Sequence, residues 1–239
     1  MKKVLGCILL AAATLWSAGQ KTINDPNAEK RAVSGFHGVS VSGSIELFLS
    51  QGNEENVVIS ANDAKWRDRV TTEVEDGILH IYLDHKDKFH LDWNSSTKIR
   101  AYVAVKDIDY LASSGSGKTH LDGKIKADKL KIEISGSGNL DGGLAVQQLS
   151  IGLSGSANTD ISGTADNSEF HISGSGNIRG YDFSTATCNA SISGSGNVKI
   201  TVTKELSAHI SGSGNVMIKG NGMIRDYSAS GSGKFKRVN

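Results

Sequence analysis

The tetrapeptide Ser-Gly-Ser-Gly, once in the variant form Ser-Gly-Ser-Ala, recurs seven times along the sequence. The copies begin at Ser114, Ser135, Ser154, Ser173, Ser193, Ser211 and Ser230. They are 21, 19, 19, 20, 18 and 19 residues apart. A repeat of about 20 residues is typical of solenoids, in which each repeat forms one coil and stacks on its neighbours. The chain is therefore constrained to a stack of similar coils.

The residues before each tetrapeptide alternate between apolar and polar or small. One place before the copies, from the second onward, stand Ile134, Leu153, Ile172, Ile192, Ile210 and Ala229. Three places before stand Ile132, Ile151, Phe170, Ala190, Ala208 and Tyr227. Alternation with a period of two indicates strands with one buried face. We predict an all-β solenoid with coils of about 18–21 residues, whose equivalent strands pair in parallel and stack these apolar residues in columns.

An asparagine follows five of the tetrapeptides. The five are Asn139, Asn158, Asn177, Asn197 and Asn215, whereas Lys118 and Lys234 take this position in the first and last copies. In one interpretation the glycines point inward and let opposite walls approach. In the other, which we favour, the tetrapeptide is a corner that needs glycine backbone angles, and the stacked asparagines form a hydrogen-bonded ladder. Both interpretations give the motif a structural role.

Residues 31–110 lack the asparagine signature but still alternate like strands. The segment Ser42–Ile45 is a degenerate copy of the tetrapeptide. Only residues 62–70 have helical character, with Asp63 or Asn62 as the cap and Trp66 and Val70 as an apolar stripe. We interpret residues 31–239 as one solenoid domain, with irregular coils over 31–110 and repeats over 111–239. The short helix or the strands near Arg31 are expected to close its end.

The N-terminus has the pattern of a secretory signal peptide. Lys2 and Lys3 precede an apolar run, and small residues follow it, which predicts a signal over residues 1–19 and a flexible segment over 20–30. Residues 4–7 also resemble a lipobox, but most of the apolar run follows Cys7, which argues against lipidation there. No other run approaches the roughly 18 apolar residues of a membrane helix. We expect an exported protein of the periplasm or of the cell surface and outer membrane.

The charge balance and the cysteine content argue against two other classes, nucleic-acid-binding proteins and proteins stabilised by an internal disulfide. Without Lys2 and Lys3 the chain has 24 basic and 25 acidic residues, a balance that argues against a nucleic-acid groove. Cys188 is the one cysteine left after the predicted cleavage, and it stands five places before its tetrapeptide, as do Leu130, Leu149 and Leu206. We therefore predict a buried thiol and no intramolecular disulfide.

Residues 112–119 fit a loose phosphate-binding loop that ends in Gly117, Lys118 and Thr119. The motif requires a helix after the loop, and residues 120–134 instead alternate like a strand. It is also one copy of a sevenfold repeat in which asparagine usually replaces the lysine. We therefore expect no nucleotide and no other cofactor.

Three motifs together are distinctive: residues 31–52 (RAVSGFHGVSVSGSIELFLSQG), residues 76–79 (DGIL) and the repeated SGSGN. In these motifs the sequence resembles the putative auto-transporter adhesin, head GIN domain family, which is common in exported proteins of Bacteroidetes. It covers nearly all of the chain from Arg31 onward. The resemblance implies a right-handed parallel β-helix and an adhesive role, but no catalytic or ligand residues.

One charged cluster is a candidate ligand surface, made of Asp84, His85, Asp87, His90, Asp92 and Trp93. It could hold a metal or a sugar, although the lysines among its acids favour a solvated hairpin tip. His171 and His209 share an outward column but lie two rungs apart, about 10 Å, which is too far to share one metal ion. We expect no metal site and no catalytic residues.

Two classes of function remain. The first is a non-catalytic adhesin or cell-envelope binding and scaffold module that contacts a glycan or an envelope or surface protein. The second is a carbohydrate-active β-helix enzyme, a glycan lyase or hydrolase, with its site around Asp84–Trp93. We favour the first, because a repeat spreads similar residues evenly whereas catalysis needs a unique cluster.

Overall fold

The structure is a computed structural model that describes residues 27–84 and 97–238. It is nearly all β, with one short helix, and it forms a solenoid of about 7 turns. The predicted fold class is confirmed. No helix within the described ranges is long and apolar enough to cross a membrane.

Sixteen strands and one helix follow one another through the described residues. They are β1 Glu29–Arg31, β2 Gly38–Gly43, β3 Glu46–Gln51, β4 Asn56–Ala61, α1 Ala64–Arg67, β5 Val70–Glu75, β6 Ile78–Leu83, β7 Ile99–Val105, β8 Tyr110–Gly115, β9 Lys118–Gly136, β10 Asn139–Gly155, β11 Asn158–Gly174, β12 Asn177–Gly194, β13 Asn197–Gly212, β14 Asn215–Lys219, β15 Met223–Ser230 and β16 Lys234–Arg237.

Each of the long strands β9–β13 makes most of one coil and pairs in parallel with the next. The register places the predicted column Ile134, Leu153, Ile172, Ile192 and Ile210 on successive rungs, all 2–3% exposed. The coils differ in length by a few residues, and bulges absorb the difference. Between β9 and β10, for example, Leu121 pairs with Gly142 and Lys124 with Gly143, so that two residues of β9 have no partner in β10.

The SGSG corner uses its two glycines differently. The first glycine of each copy has a positive φ, for example +117° at Gly174 and +123° at Gly194, a backbone region that disfavours side chains. The second glycine lies against the rung below, since a Cβ at Gly196 would overlap the carbonyl oxygen of Gly176 and lie 2.6 Å from Ile172 Cγ2. The close approach is thus between neighbouring rungs rather than between opposite walls. The corner interpretation explains the first glycine, and rung stacking explains the second.

The irregular coils of residues 31–110 do not stack in chain order. Strand β2 lies between β6 and β8, and β3 lies between β7 and β9, all in parallel. The degenerate copy is nevertheless in register with the first full copy, because Gly43 pairs with Gly115 and Ser114 Oγ donates to Ser42 Oγ at 2.9 Å. The alternation predicted the strands but not their order, since any of them could pair with any other.

Antiparallel strands close the N-terminal end. Strand β1 pairs with β4, β4 with β7, and β5 with β6 through the tight turn Asp76-Gly77, in which both residues have positive φ. The strand near Arg31 begins at Glu29, inside the segment expected to be flexible, because β4 pairs with it. The helix is capped by Asp63, as predicted, but it ends at Arg67 because Val70 already begins β5.

One cluster of buried apolar side chains fills the solenoid from Phe36 to Ile218. The predicted Cys188 column is confirmed, since Cys188 is 1% exposed and pairs in register with Leu206. Burial raises the pKa of its thiol to about 12, so the thiol packs as a small apolar group.

Candidate functional site

A groove runs along the outside of the wall whose strands lead into the SGSG corners. We call it the serine groove, and it has a volume of about 920 Å³. One rim is the column of first serines, and the other is the column two places before them. The two columns are Ser114, Ser135, Ser154, Ser173, Ser193, Ser211 and Ser230, and Ala112, Glu133, Gly152, His171, Ser191, His209 and Ser228.

The serine groove exists because the same two columns recur on seven rungs, from β8 to β15. Six rung spacings of about 4.8 Å give it a length of about 29 Å. Every serine of the first column is exposed. The groove therefore presents evenly spaced hydroxyl groups to an extended ligand.

Gly152 opens the middle of the opposite rim, between Glu133 and His171 on the neighbouring rungs. Its backbone has no positive φ, and a Cβ there would meet no atom closer than 4.0 Å. The fold therefore does not require a glycine at this position. Its absent side chain leaves room in the groove.

Near one end of the serine groove, two polar side chains hold the carboxylate of Glu133. The Tyr110 hydroxyl donates to Glu133 Oε2 at 2.7 Å, and Lys131 Nζ lies 2.8 Å from Glu133 Oε1. The pKa of Tyr110 is raised to about 12, mainly by desolvation and secondly by the hydrogen bond to the Glu133 carboxylate. The pKa of Glu133 is lowered, mainly by the hydrogen bond from Lys131 and secondly by the one from Tyr110. Glu133 is therefore held as a carboxylate with both oxygens engaged.

The two groove histidines have separate partners. His171 Nε2 lies 3.0 Å from Glu169 Oε1, whereas His209 Nδ1 lies 2.8 Å from Ser228 Oγ. Ser191 stands between them in the register, as the sequence indicated. Across residues 27–84 and 97–238 no group of three histidine, cysteine or acidic side chains is placed to hold a metal ion.

The repeated asparagines line the other side of the corner. Asn177 Nδ2 donates to Asn158 Oδ1 at 2.9 Å, and the same bond at 2.8 Å joins Asn197 to Asn177 and Asn215 to Asn197. Four amides thus form a continuous chain of hydrogen bonds. These side chains bond to each other rather than pointing into the serine groove.

Asn139 lies in register with Asn158, but no hydrogen bond joins their side chains among the described residues. Asn158 Nδ2 instead donates to the backbone oxygen of Ser156 at 3.3 Å. The break falls at the copy in which Ala157 replaces the second glycine. The structure therefore separates Asn139 from the other four members of the predicted ladder.

The charged cluster predicted as a ligand surface falls almost entirely outside the described residues. His85, Asp87, His90, Asp92 and Trp93 lie there. Asp84 is described, and its backbone exchanges hydrogen bonds with Arg69: Asp84 N donates to the Arg69 oxygen, and the Arg69 guanidinium donates to the Asp84 oxygen.

Sequence reasoning did not find a second outer column near the N-terminal end. The rings of Tyr102 and Phe48 stack with centroids 5.0 Å apart, and those of Phe48 and His120 at 4.9 Å. His120 Nε2 lies 3.3 Å from Glu46 Oε1, and His120 Nδ1 lies 2.8 Å from Asp141 Oδ1. Because the rings stack on one another, their inner faces are covered. All three residues lie on the polar face of their strands. This shared position indicates the column only once the order of the rungs is known.

Solved structures of proteins from Bacteroides and Parabacteroides have the same architecture. A putative adhesin from Bacteroides fragilis NCTC 9343 superposes with a TM-score of 0.80 at 23% identity, covering 88% of this chain and 96% of that one. A putative lipid binding protein from Parabacteroides distasonis ATCC 8503 gives 0.71 at 24%, covering 91% and 98%. A putative adhesin from Parabacteroides merdae ATCC 43184 gives 0.71 at 20%, covering 89% and 95%. No curated protein matches the sequence.

The stacked SGSGN corners and the irregular first coils define a class of β-solenoid proteins. Residues 35–222 match the family described as putative auto-transporter adhesin, head GIN domain. The protein belongs to this family, as its sequence motifs indicated.

Proposed function

We propose that the protein is an exported, non-catalytic adhesion module that holds an extended glycan in the serine groove. The observation that carries the proposal is the groove itself, which runs about 29 Å across seven rungs with an exposed hydroxyl on each. A glycan chain repeats hydroxyl groups along its length, so a repeating row of serines can bond to successive sugars. The matching family and the Bacteroides fragilis structure are both described as putative adhesins, which supports the same class of function.

A glycan suits the groove better than a surface protein does. Protein interfaces depend on large anchors such as tryptophan, tyrosine and arginine. Tyr110 is the one residue of these types that lines the groove, and its hydroxyl already bonds to Glu133. The remaining lining consists mainly of serine, glycine, alanine, histidine and aliphatic side chains.

The lining also favours binding over cleavage. Glycosidases generally place two carboxyl groups on either side of the bond that breaks. Glu133 is the one carboxylate among the residues that line the serine groove, and both of its oxygens are engaged by Tyr110 and Lys131. A ligand in the groove would therefore meet no paired acid and base.

The test is a glycan array probed with residues 20–239, followed by calorimetry on each hit. Gly152→Trp should fill the middle of the groove and abolish binding without strain, because a Cβ at Gly152 has free space. Gly52→Trp is the matched control, since a Cβ at this exposed glycine also has no neighbour within 4 Å. Equal binding by both variants would locate the ligand elsewhere. Shortening of a polysaccharide hit would overturn the non-catalytic assignment.

Export is tested separately. The proposal predicts that the protein from cells begins at Gln20 and that it is recovered from the periplasm or the cell surface. Radiolabelled palmitate incorporated at Cys7, or an intact N-terminus in the cytoplasm, would contradict this processing.

A further inference from the structure

On the wall that follows the SGSG corner, one outward column changes from paired to unpaired charges along the solenoid. In the middle coils the column is paired, because Arg179 Nη1 donates to Asp160 Oδ2 at 2.9 Å. The next three rungs place Lys199, Met217 and Lys236 in the same column. Neither lysine forms an ion pair with any residue that the structure describes. The last coils therefore present positive charge that the fold itself does not neutralise.

Four lysines share this part of the wall. We call them the lysine face, and they are Lys199, Lys219, Lys234 and Lys236. The paired segments that carry them, residues 197–201, 215–219 and 234–237, contain five basic residues and no acidic one. The Cα atoms of Lys199 and Lys236 are two rungs apart, about 10 Å, and those of Lys234 and Lys236 about 7 Å. No acid of these segments relieves the repulsion between the lysines, and a bound anion would relieve it.

A recess of about 540 Å³ adjoins the lysine face. It lies beside a bulge in β12, where residues 181–183 have no partner in β13. Three glycines line it, Gly142, Gly143 and Gly180, and they contribute no side chains. Lys199 lines both the recess and a smaller pocket of about 180 Å³ beside the asparagine ladder. The recess and the charged face therefore form one continuous surface.

We propose that this surface is a second binding site, which holds an acidic polysaccharide with one sugar in the recess and its acidic groups on the lysines. A concave site of this volume suits a small group such as a sugar ring. Tyr181 lines the recess, and Lys219 Nζ lies 4.9 Å from the centroid of its ring, so a lysine stands at the rim. Lysine acts as a point charge, which can contact a carboxylate, sulfate or phosphate group.

The second site goes beyond the proposed function, because it lies apart from the serine groove. The groove is formed by strands that lead into the SGSG corner, whereas the lysine face and the recess are formed by residues that follow it. Gly152 lines the groove and not the recess, so each site can be blocked without the other.

An acidic polysaccharide fits the lysine face better than an anionic membrane does. Proteins that bind a membrane surface combine basic residues with apolar side chains that enter the lipid. Across residues 27–84 and 97–238 the exposed large hydrophobic residues are Met223, Ile224 and Tyr227, and all three belong to β15 on a different wall. On the lysine face Met217 is half-buried between the lysines. The face thus offers charge without apolar side chains for insertion.

The test is calorimetry of residues 20–239 with polygalacturonate and with its fully methyl-esterified form, which has the same sugars without the charge. The wild type should bind polygalacturonate more weakly as salt increases, and the ester at least about tenfold more weakly. The variant K199Q/K236Q should weaken binding of polygalacturonate about tenfold, because two charge contacts are lost. The matched control is K126Q/K129Q, which removes two exposed lysines of β9 and should change nothing.

A second pair of variants tests the recess. Ser162→Trp should fill it and weaken binding of polygalacturonate at least about tenfold, whereas Ser34→Trp, at another exposed serine, is the control. Both should melt like the wild type. Gly152→Trp should leave this binding intact, so the second site and the serine groove can fail separately. Equal affinity for the ester, unchanged binding by K199Q/K236Q or Ser162→Trp, or its loss in Gly152→Trp would each overturn the proposal, as would binding to phosphatidylglycerol vesicles alone.

Discussion

Asn197 donates its amide hydrogen to the side-chain oxygen of Asn177, 2.8 Å away and one rung below. Asn197 also accepts the equivalent bond from Asn215, so it is bonded through its side chain on both sides. These side chains are half-buried, where water replaces a lost partner poorly. The asparagines therefore tie successive corners together.

Replacing Asn197 with leucine should destabilise the protein by about 1–3 kcal/mol, because it leaves the amides of Asn177 and Asn215 without this partner. The free energy of unfolding in urea measures the loss. Asn139→Leu is the matched control, since Asn139 has the same repeat position without a side-chain bond to the ladder. Equal losses in the two variants would show that the bonds contribute nothing. Unchanged stability with lost glycan binding would assign the asparagines to a binding site.

The second glycine of the corner gives a larger expected effect. Gly196→Val should cost about 3 kcal/mol or more, because its Cβ would overlap the backbone oxygen of Gly176, which cannot move without shifting the rung. Gly152→Val is the control, since its Cβ would have no neighbour closer than 4.0 Å. Thermal unfolding compares the two. Similar melting temperatures would mean that the corner accommodates side chains, as one copy already does at Ala157.

Much of the repeat region could be read from the sequence, because each coil repeats the same corner and the same alternation. The column of Ile134 and Leu153 and the alignment of Ser42 with Ser114 both follow from those two patterns. The groove was not predicted, although both of its columns, the first serines and the residues two places before them, lie on the predicted outward face. Gly152 gave no signal either, since a glycine in a strand normally marks a backbone requirement and here it marks an empty space.

The N-terminal half was less predictable, for a physical reason. Its strands carry no distinctive residue that fixes the order of the rungs, so alternation alone permits many pairings. The spacing of Trp66 and Val70 predicted one apolar stripe on a helix. In the structure Trp66 lies in α1 and Val70 lies in β5, and both are buried. Local pattern identified the buried residues correctly and their secondary structure only in part.

Two threonines inside the solenoid offer a stabilising change. Thr119 and Thr159 are fully buried, and their hydroxyl oxygens have no hydrogen-bond partner within the described ranges. Thr159→Val should raise the free energy of unfolding by about 1 kcal/mol, because it removes a desolvated hydroxyl that has lost its bonds to water.

Thr185→Val is the contrasting change. Its hydroxyl accepts from Ser168 at 3.0 Å and donates to the Thr187 oxygen at 2.8 Å, so valine there should destabilise. Urea unfolding of the two variants should therefore give shifts of opposite sign. A destabilised Thr159→Val would mean that its hydroxyl has a partner, such as an internal water.

Glu133 should make stability depend on pH. Its pKa is lowered from 4.5 by the hydrogen bonds from Lys131 and Tyr110, so the folded state favours the carboxylate. This contribution is complete above about pH 4.5 and is lost as the pH falls through the lower folded pKa. The wild type should be more stable than Glu133→Gln near neutral pH, and the difference should shrink in acid.

Chemical denaturation across a pH series provides the measurement. Glu54→Gln is the control, because Glu54 is exposed and no ion pair is found for it among the described residues. A stability difference between the wild type and Glu133→Gln that grows in acid would contradict the sign of the shift.

The position of β2 between β6 and β8 makes the two ends of the molecule unequal in how they tolerate truncation. Ser42 meets Ser114 across 72 residues of sequence, so the rung of β2 is complete only when strands on both sides of it are present. Coils at the β15 end each depend on one earlier neighbour, as in other solenoids. Deleting them shortens the stack, whereas deleting β2 and β3 removes an interior rung and separates the strands above and below it. The number of coils at the β15 end is therefore not fixed by the N-terminal strands, whereas β2 and β3 are each needed by the strands on both sides of them.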